Sequence, residues 1–243
     1  MAGAAEALQG KIYLVCGFGS NAKKASAFDP QTGAWADVAR VPTGRISPAA
    51  VAAGGRLFAI GGRASDLIGM SIVEAFDPKT GVWEAVAPMP TARFGAGAAV
   101  MDGMIYVAGG ARSGSEPLAT VEVYDPATNA WDPAPSMSTP RSCFGLAVLG
   151  GKLYAAGGWR SGVGHLVLAE VFDTQTQAWA PIAPMGTARR NVTLTAVKGK
   201  LYAAGGVGLA AMATVEAYDP QHDRWEVVAS MSQARYSHAA AAI

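Results

Sequence analysis

Three histidines, two cysteines and a few loop carboxylates are the side chains that could carry catalysis in this chain of 243 residues. His165, His222 and His238 stand apart, with no HExxH and no paired-ligand spacing, so no metal centre is expected. Cys16 and Cys143 have no CxxC or CxxH partner and read as small buried residues, not nucleophiles. Gly17-x-Gly19 and Gly206-x-Gly208 each follow an apolar run. A phosphate loop needs a helix behind it, and none is expected there, so no cofactor is expected either. General acid–base work would fall to Asp66, Glu116 and His165 in loops, a thin set for that chemistry. Asn191-Val192-Thr193 is a formal glycosylation sequon, but it falls in an expected inner strand. Arginine and glutamate behave differently: they recur at Arg45, Arg93, Arg141, Arg189 and Arg235, and at Glu74, Glu122, Glu170 and Glu216. A catalytic residue is normally unique. A residue present in every repeat is a scaffold part, here for ion pairs and hydrogen bonds between strands or repeats.

The elements that must position these residues follow from that repetition. An aromatic-Asp pair occurs at Phe28-Asp29, Phe76-Asp77, Tyr124-Asp125, Phe172-Asp173 and Tyr218-Asp219, at intervals of 48, 48, 48 and 46. Trp35, Trp83, Trp131, Trp179 and Trp225 follow at a fixed offset. Gly-Gly closes an apolar stretch at Gly61, Gly109, Gly157 and Gly205, with Cys16-Gly17 as an imperfect first copy. Each unit parses into four short strands. In the third, 94–101 and 104–109 flank an Asp102-Gly103 turn, a strong hairpin signal because a type I′ turn needs positive φ. Val121 to Tyr124 makes a third strand. In the turn after it, Asp125 can accept backbone N–H groups and Pro126 fixes its own φ. Composition agrees with an all-β chain: 15% charged, 51% apolar, thirty Gly and fourteen Pro exclude disorder, coiled coil and a charged bundle.

Charge and cysteine usage bound the partners. Net charge is +1 without a basic stripe, so no nucleic acid is expected. No run approaches the eighteen apolar residues of a membrane span, and the first eight residues lack the basic start of a secretory signal. Two distant thiols fit a reducing compartment, hence a cytoplasmic protein.

Four antiparallel strands per repeat imply the blade of a β-propeller. The Gly-Gly doublet, the aromatic-Asp pair, the spaced Trp and the Met-Pro-x-x-Arg-like ending resemble the kelch repeat, from about Lys11 to Ile243. The expected architecture is five four-stranded blades, with units at about 10–45, 46–93, 94–141, 142–189 and 190–235. Kelch propellers are usually described with six or seven blades, and this chain departs from that pattern. Both 2–8 and 236–243 align with the first-strand position. The C-terminal copy keeps Arg235 and a small apolar run, whereas the N-terminal one contains Glu6. The C-terminal strand 236–243 is therefore expected to complete the first blade of the propeller at 10–243, with 1–9 peripheral. A leftover strand would be an unpaired edge that favours self-association; the rival expectation is a piece of a six-bladed ring, or pairing with another chain.

The resemblance implies that one face is built by the loop after Gly-Gly and by the residue after the motif arginine. In this chain the first position holds Phe18, Arg63, Ala111, Trp159 and Val207, and the second Ile46, Phe94, Ser142, Arg190 and Tyr236. Trp159 is the one tryptophan outside the repeat pattern and suits an interface anchor. The loops carry Lys23, Lys24, Arg63, Arg112 and Arg160 against Asp66 and Glu116, and Arg190 adds another cation. The candidate ligand-binding set is Phe18, Arg63, Phe94, Arg112, Ser142, Trp159, Arg160, Arg190 and Tyr236. Guanidinium groups beside aromatics suit carboxylates. The expected function is a non-catalytic module that binds a protein or acidic peptide. The alternatives are a small enzyme resembling bacterial sialic-acid mutarotases, and an isolated or engineered scaffold with no ligand of its own.

Overall fold

Each repeat folds as an antiparallel meander whose first hairpin is closed by two residues. The computed structural model describes residues 4–17, 19–114 and 116–242. The first sheet contains β1 (Ala4–Leu8), β2 (Lys11–Val15), β3 (Ala25–Asp29) and β4 (Ala34–Asp37). The second contains β5 (Ala49–Ala53), β6 (Arg56–Ile60), β7 (Val73–Asp77) and β8 (Val82–Val86). The third has β9 (Gly97–Met101), β10 (Met104–Ala108), β11 (Val121–Asp125) and β12 (Ala130–Ala134). In the fourth, β13 (Gly145–Leu149) and β14 (Lys152–Ala156) lead to a short hairpin, β15 (Trp159–Arg160) and β16 (Gly164–His165). The sheet then resumes with β17 (Ala169–Asp173) and β18 (Ala178–Ile182). The fifth has β19 (Thr193–Val197), β20 (Lys200–Ala204), β21 (Val215–Asp219) and β22 (Arg224–Val228). These are five blades of a β-propeller.

Local chemistry sets the turns. Asp102 and Gly103 have φ of +52° and +77°, and Gln9-Gly10, Gly54-Gly55, Gly150-Gly151 and Lys198-Gly199 repeat that pair of positive angles. Such turns match the right-handed twist of the strands they join. At the other end of each blade, Asp29, Asp77, Asp125, Asp173 and Asp219 accept the backbone N–H two residues on, at 2.8–2.9 Å. The aspartates are thus turn residues, as expected. Each aromatic before them sits directly opposite its repeat tryptophan across the outer strand pair, with ring centroids 5.0–5.4 Å apart.

Blades are tied to one another by two recurring devices. The indole N–H groups of Trp83, Trp131, Trp179 and Trp225 donate to carbonyls of Ala39, Ala87, Pro135 and Ala183 in the preceding blade. Arg45, Arg93, Arg141 and Arg189 are fully buried and enter the next blade to pair with Glu74, Glu122, Glu170 and Glu216. Each also donates to the carbonyl of the first glycine of the doublet. That glycine is obligatory: a Cβ on Gly61, Gly109, Gly157 or Gly205 would meet a backbone oxygen within 2.7 Å. The reading of these residues as scaffold holds.

The closing strand is a correction. The first blade is completed by the N-terminal β1, which pairs with β2 from Ala4↔Val15 to Leu8↔Lys11, so residues 4–8 are an inner strand and not a peripheral segment. Residues 236–242 form no strand. A two-residue turn brings β1 to β2 at almost no loop-closure cost, whereas the C-terminal segment would have to close the whole ring. Glu6, the residue that weighed against β1, is accommodated by burial that pushes its carboxyl up to about 7, so protonation relieves the cost of a buried charge. The sequon is a second correction: Asn191 precedes β19 instead of lying in it.

Candidate functional site

After each glycine doublet the chain meets the segment that follows the motif arginine. Arg63 and Ile46 exchange two backbone hydrogen bonds, as do Ala111 and Phe94, Trp159 and Ser142, and Val207 and Arg190, all at 2.8–3.1 Å. The two sets of positions singled out in the sequence are therefore paired, blade by blade. One residue further on, Ser47, Gly95, Cys143, Asn191 and Ser237 all have φ near +50° to +60°. Each passes a hydrogen bond to the next around the ring: Gly95 N–H to Ser47 O, Cys143 N–H to Gly95 O, Asn191 N–H to Cys143 O, and Ser237 N–H to Asn191 O. These residues, with Pro48, Ala96, Phe144, Val192 and His238, line a cavity of about 130 Å³ where the blades converge.

Two cations adjoin the residues that line this mouth. The Arg63 guanidinium lies 5.4 Å from the centre of the Phe94 ring, a cation–π contact between adjacent blades. Burial pushes the Cys143 thiol up, and the positive charges of Arg190 and Arg63 pull the other way. Arg190 immediately precedes the lining residue Asn191, and Arg63 is bridged to Ile46, immediately before the lining residue Ser47. Arg190 keeps a buried Nε with no hydrogen-bond partner among the described residues. Burial, and then the Arg190 charge, hold His165 below its ordinary range, so its imidazole is neutral at neutral pH. His165 faces the half-buried Trp159 across the β15–β16 hairpin.

The remaining residues of the expected set are more dispersed. Ser142 is buried at 5% exposure. Arg112 and Arg160 are exposed on the loops. Tyr236 is 53% exposed and lines a separate cavity of about 710 Å³, between the first blade and the C-terminal segment. Phe18 lies outside the described residues. Asp66 accepts the backbone N–H of Ile68 in its own turn, and Glu116 is exposed. Among the described residues no three His, Cys, Asp or Glu side chains gather into a metal set. Sequence reasoning missed the inner ring of Ser47, Cys143, Asn191, Ser237 and His238. Its signal was there, as repeat-equivalent positions holding different polar residues one step beyond those chosen.

The family model of the KLHDC2/KLHL20/DRC7 Kelch-repeats domain matches residues 3–206 and, in a second placement, 88–243. This chain belongs to the kelch-repeat family. Kelch propellers as a class are protein-binding modules. A solved structure described as the structure of YjhT superposes with a TM-score of 0.87 at 17% identity, over 99% of this chain and 86% of that one. The likeness is one of fold. A search of curated proteins gives no match.

Proposed function

We propose that this kelch propeller is a non-catalytic binding module whose mouth takes an acidic segment of a protein partner. The observation that carries the reading is the pair Arg63 and Arg190, each beside a residue adjoining the axial cavity, with Phe94 under the Arg63 guanidinium. Arginine offers a planar fork of donors that a carboxylate accepts in parallel, and the unpartnered Nε of Arg190 is a donor still to be used. Phe94 and Trp159 supply flat apolar surface for the rest of the ligand. Arg112 and Arg160 are exposed cations on neighbouring loops and would add attraction at longer range. Screening acidic and basic peptide pools against wild type and an Arg63→Ala, Arg160→Ala, Arg190→Ala triple variant tests this. Wild type should retain the acidic pool and the triple variant should lose it. Retention of the basic pool by wild type would reverse the electrostatic reading, and binding of neither pool would favour a scaffold without its own ligand.

A second reading rests on His165. A neutral imidazole beside Arg190 could move a proton while the guanidinium holds a carboxylate. That arrangement supports a small enzyme acting on an acidic sugar, of the kind that sialic-acid mutarotases represent. Anomer exchange followed by NMR, with His165→Asn as control, separates the readings. Turnover that disappears in the variant would favour the enzyme.

A further inference from the structure

The strands of each blade alternate in direction, so the tight turns face one side of the propeller. The loops from the second strand to the third face the other side, with the mouth. Exposed apolar side chains are not shared equally between these sides. Of the eleven large hydrophobic residues exposed among the described residues, six lie in those loops: Leu67, Ile68, Ile72, Val163, Leu168 and Leu209. Only Val82 and Val197 adjoin the tight turns. Single exposed hydrophobics are ordinary on any protein, whereas their segregation to one face marks an interaction surface.

The most exposed of these stand on backbone-braced turns, not in a groove. Leu209 is fully exposed between Gly208 and Ala210, where the Gly208 N–H bonds Ala210 O at 3.2 Å. Val163, 63% exposed, donates its N–H to Arg160 O in the β15–β16 turn. Leu67 and Ile68 are exposed beside Gly69, whose N–H bonds Arg112 O in the loop of the next blade at 2.9 Å. Two of the three apolar tips therefore carry an exposed arginine against them, Arg160 for Val163 and Arg112 for Ile68. Neither arginine is in an ion pair among the described residues, whereas on the turn side Lys11, Lys152 and Lys200 pair with Asp29, Asp173 and Asp219. The carboxylates on these loops are Asp66, which accepts the Ile68 N–H in its own turn, and Glu116.

We propose that this loop face docks on the surface of an anionic lipid bilayer, with Ile68, Val163 and Leu209 entering the interface and Arg112 and Arg160 at the level of the headgroups. Aliphatic tips on separate loops need a matching socket each on a protein partner, and leucine and valine are under-represented among the residues that dominate protein interfaces. A bilayer takes such tips wherever they stand, because acyl chains adapt to their outline. The arginines behind them then meet lipid phosphate and carboxylate groups, which accept a guanidinium fork in parallel. With a net charge of only +1, the unpaired loop cations give the molecule a positive side that turns toward a negative surface. The contact is with one leaflet and is not a span. The proposal does not depend on what the mouth binds.

Flotation of the chain with phosphatidylcholine vesicles, with and without phosphatidylserine, is the test. Wild type should partition about tenfold or more better onto the phosphatidylserine vesicles. An Ile68→Ser, Val163→Ser, Leu209→Ser variant should keep its melting temperature, since these side chains are exposed, and should lose about tenfold or more of that partitioning. An Arg112→Gln, Arg160→Gln variant should lose most of the preference for phosphatidylserine. Wild type that does not float with either vesicle overturns the proposal. If the serine variant then also binds an acidic peptide less well than wild type, the loop tips belong to a protein interface instead. Equal flotation of wild type and the serine variant overturns it as well, because attraction between charges alone would then explain the binding.

Discussion

At the residue scale, five identical tryptophans divide by environment into four and one. Trp83 is buried, packs on Phe76 and bonds Ala39 O at 2.8 Å, so Trp83→Ala should cost about 3–5 kcal/mol. Trp35 is half in water and its indole is unbonded among the described residues, so Trp35→Ala should cost well under half as much. Chemical denaturation of the two variants checks this, and equal losses would contradict that difference in environment. The residues that repeat were legible in sequence because regular spacing marks a structural job, and Arg45 to Arg189 fulfil it as buried pairs. Trp35 and Arg235, both exposed, were not separable from their copies by sequence. Their difference lies in what stands beside them in space. At the mouth the sequence located the paired positions but not the ring one residue inward; the varied residues of that ring were legible, while the positive φ shared by Ser47, Cys143 and Asn191 was not.

At the element scale, β1 decides the first blade. Deleting residues 1–8 should remove the inner strand, expose the apolar partners Tyr13 and Val15 and produce aggregation. Deleting 239–243 should change the melting temperature little, since 239–242 belong to no strand. Similar behaviour of the two truncations would contradict the assignment of β1. Glu6 gives this strand a pH signature. Its folded carboxyl is raised from 4.5 to about 7 by burial, so the folded state holds the proton more tightly than the unfolded chain. Glu6 therefore costs the fold nothing below pH 4.5, and its burial lowers stability progressively as pH rises from there through about 7. Glu6→Gln should match wild type at acid pH and melt above it beyond neutrality. A constant difference across that window would place Glu6 in water. The strand itself was visible in sequence as one of two alternatives. A single carboxyl in an alanine run argued against it, and the Gln9-Gly10 turn that favours local pairing was outweighed.

At the scale of the whole molecule, repetition specified blade type and blade count, because each unit carries its own turns and core. Which strand completes the first blade was less legible, because two segments align with it. The proposed ligand site is still less legible, since the residues assigned to it break the repeat. The central claim is that Arg63 and Arg190 together make the mouth an acidic-ligand site. Partly exposed charges are screened over about 8–10 Å at physiological ionic strength, so such binding must weaken with salt. The most direct measurement is fluorescence polarisation of a labelled acidic peptide, titrated with wild type and with the Arg63→Ala, Arg190→Ala double variant at low and high salt. The account predicts binding to wild type that weakens as salt rises, and a double variant whose residual binding is weak and nearly independent of salt. Full affinity in the double variant, or a salt-insensitive wild type, would contradict it.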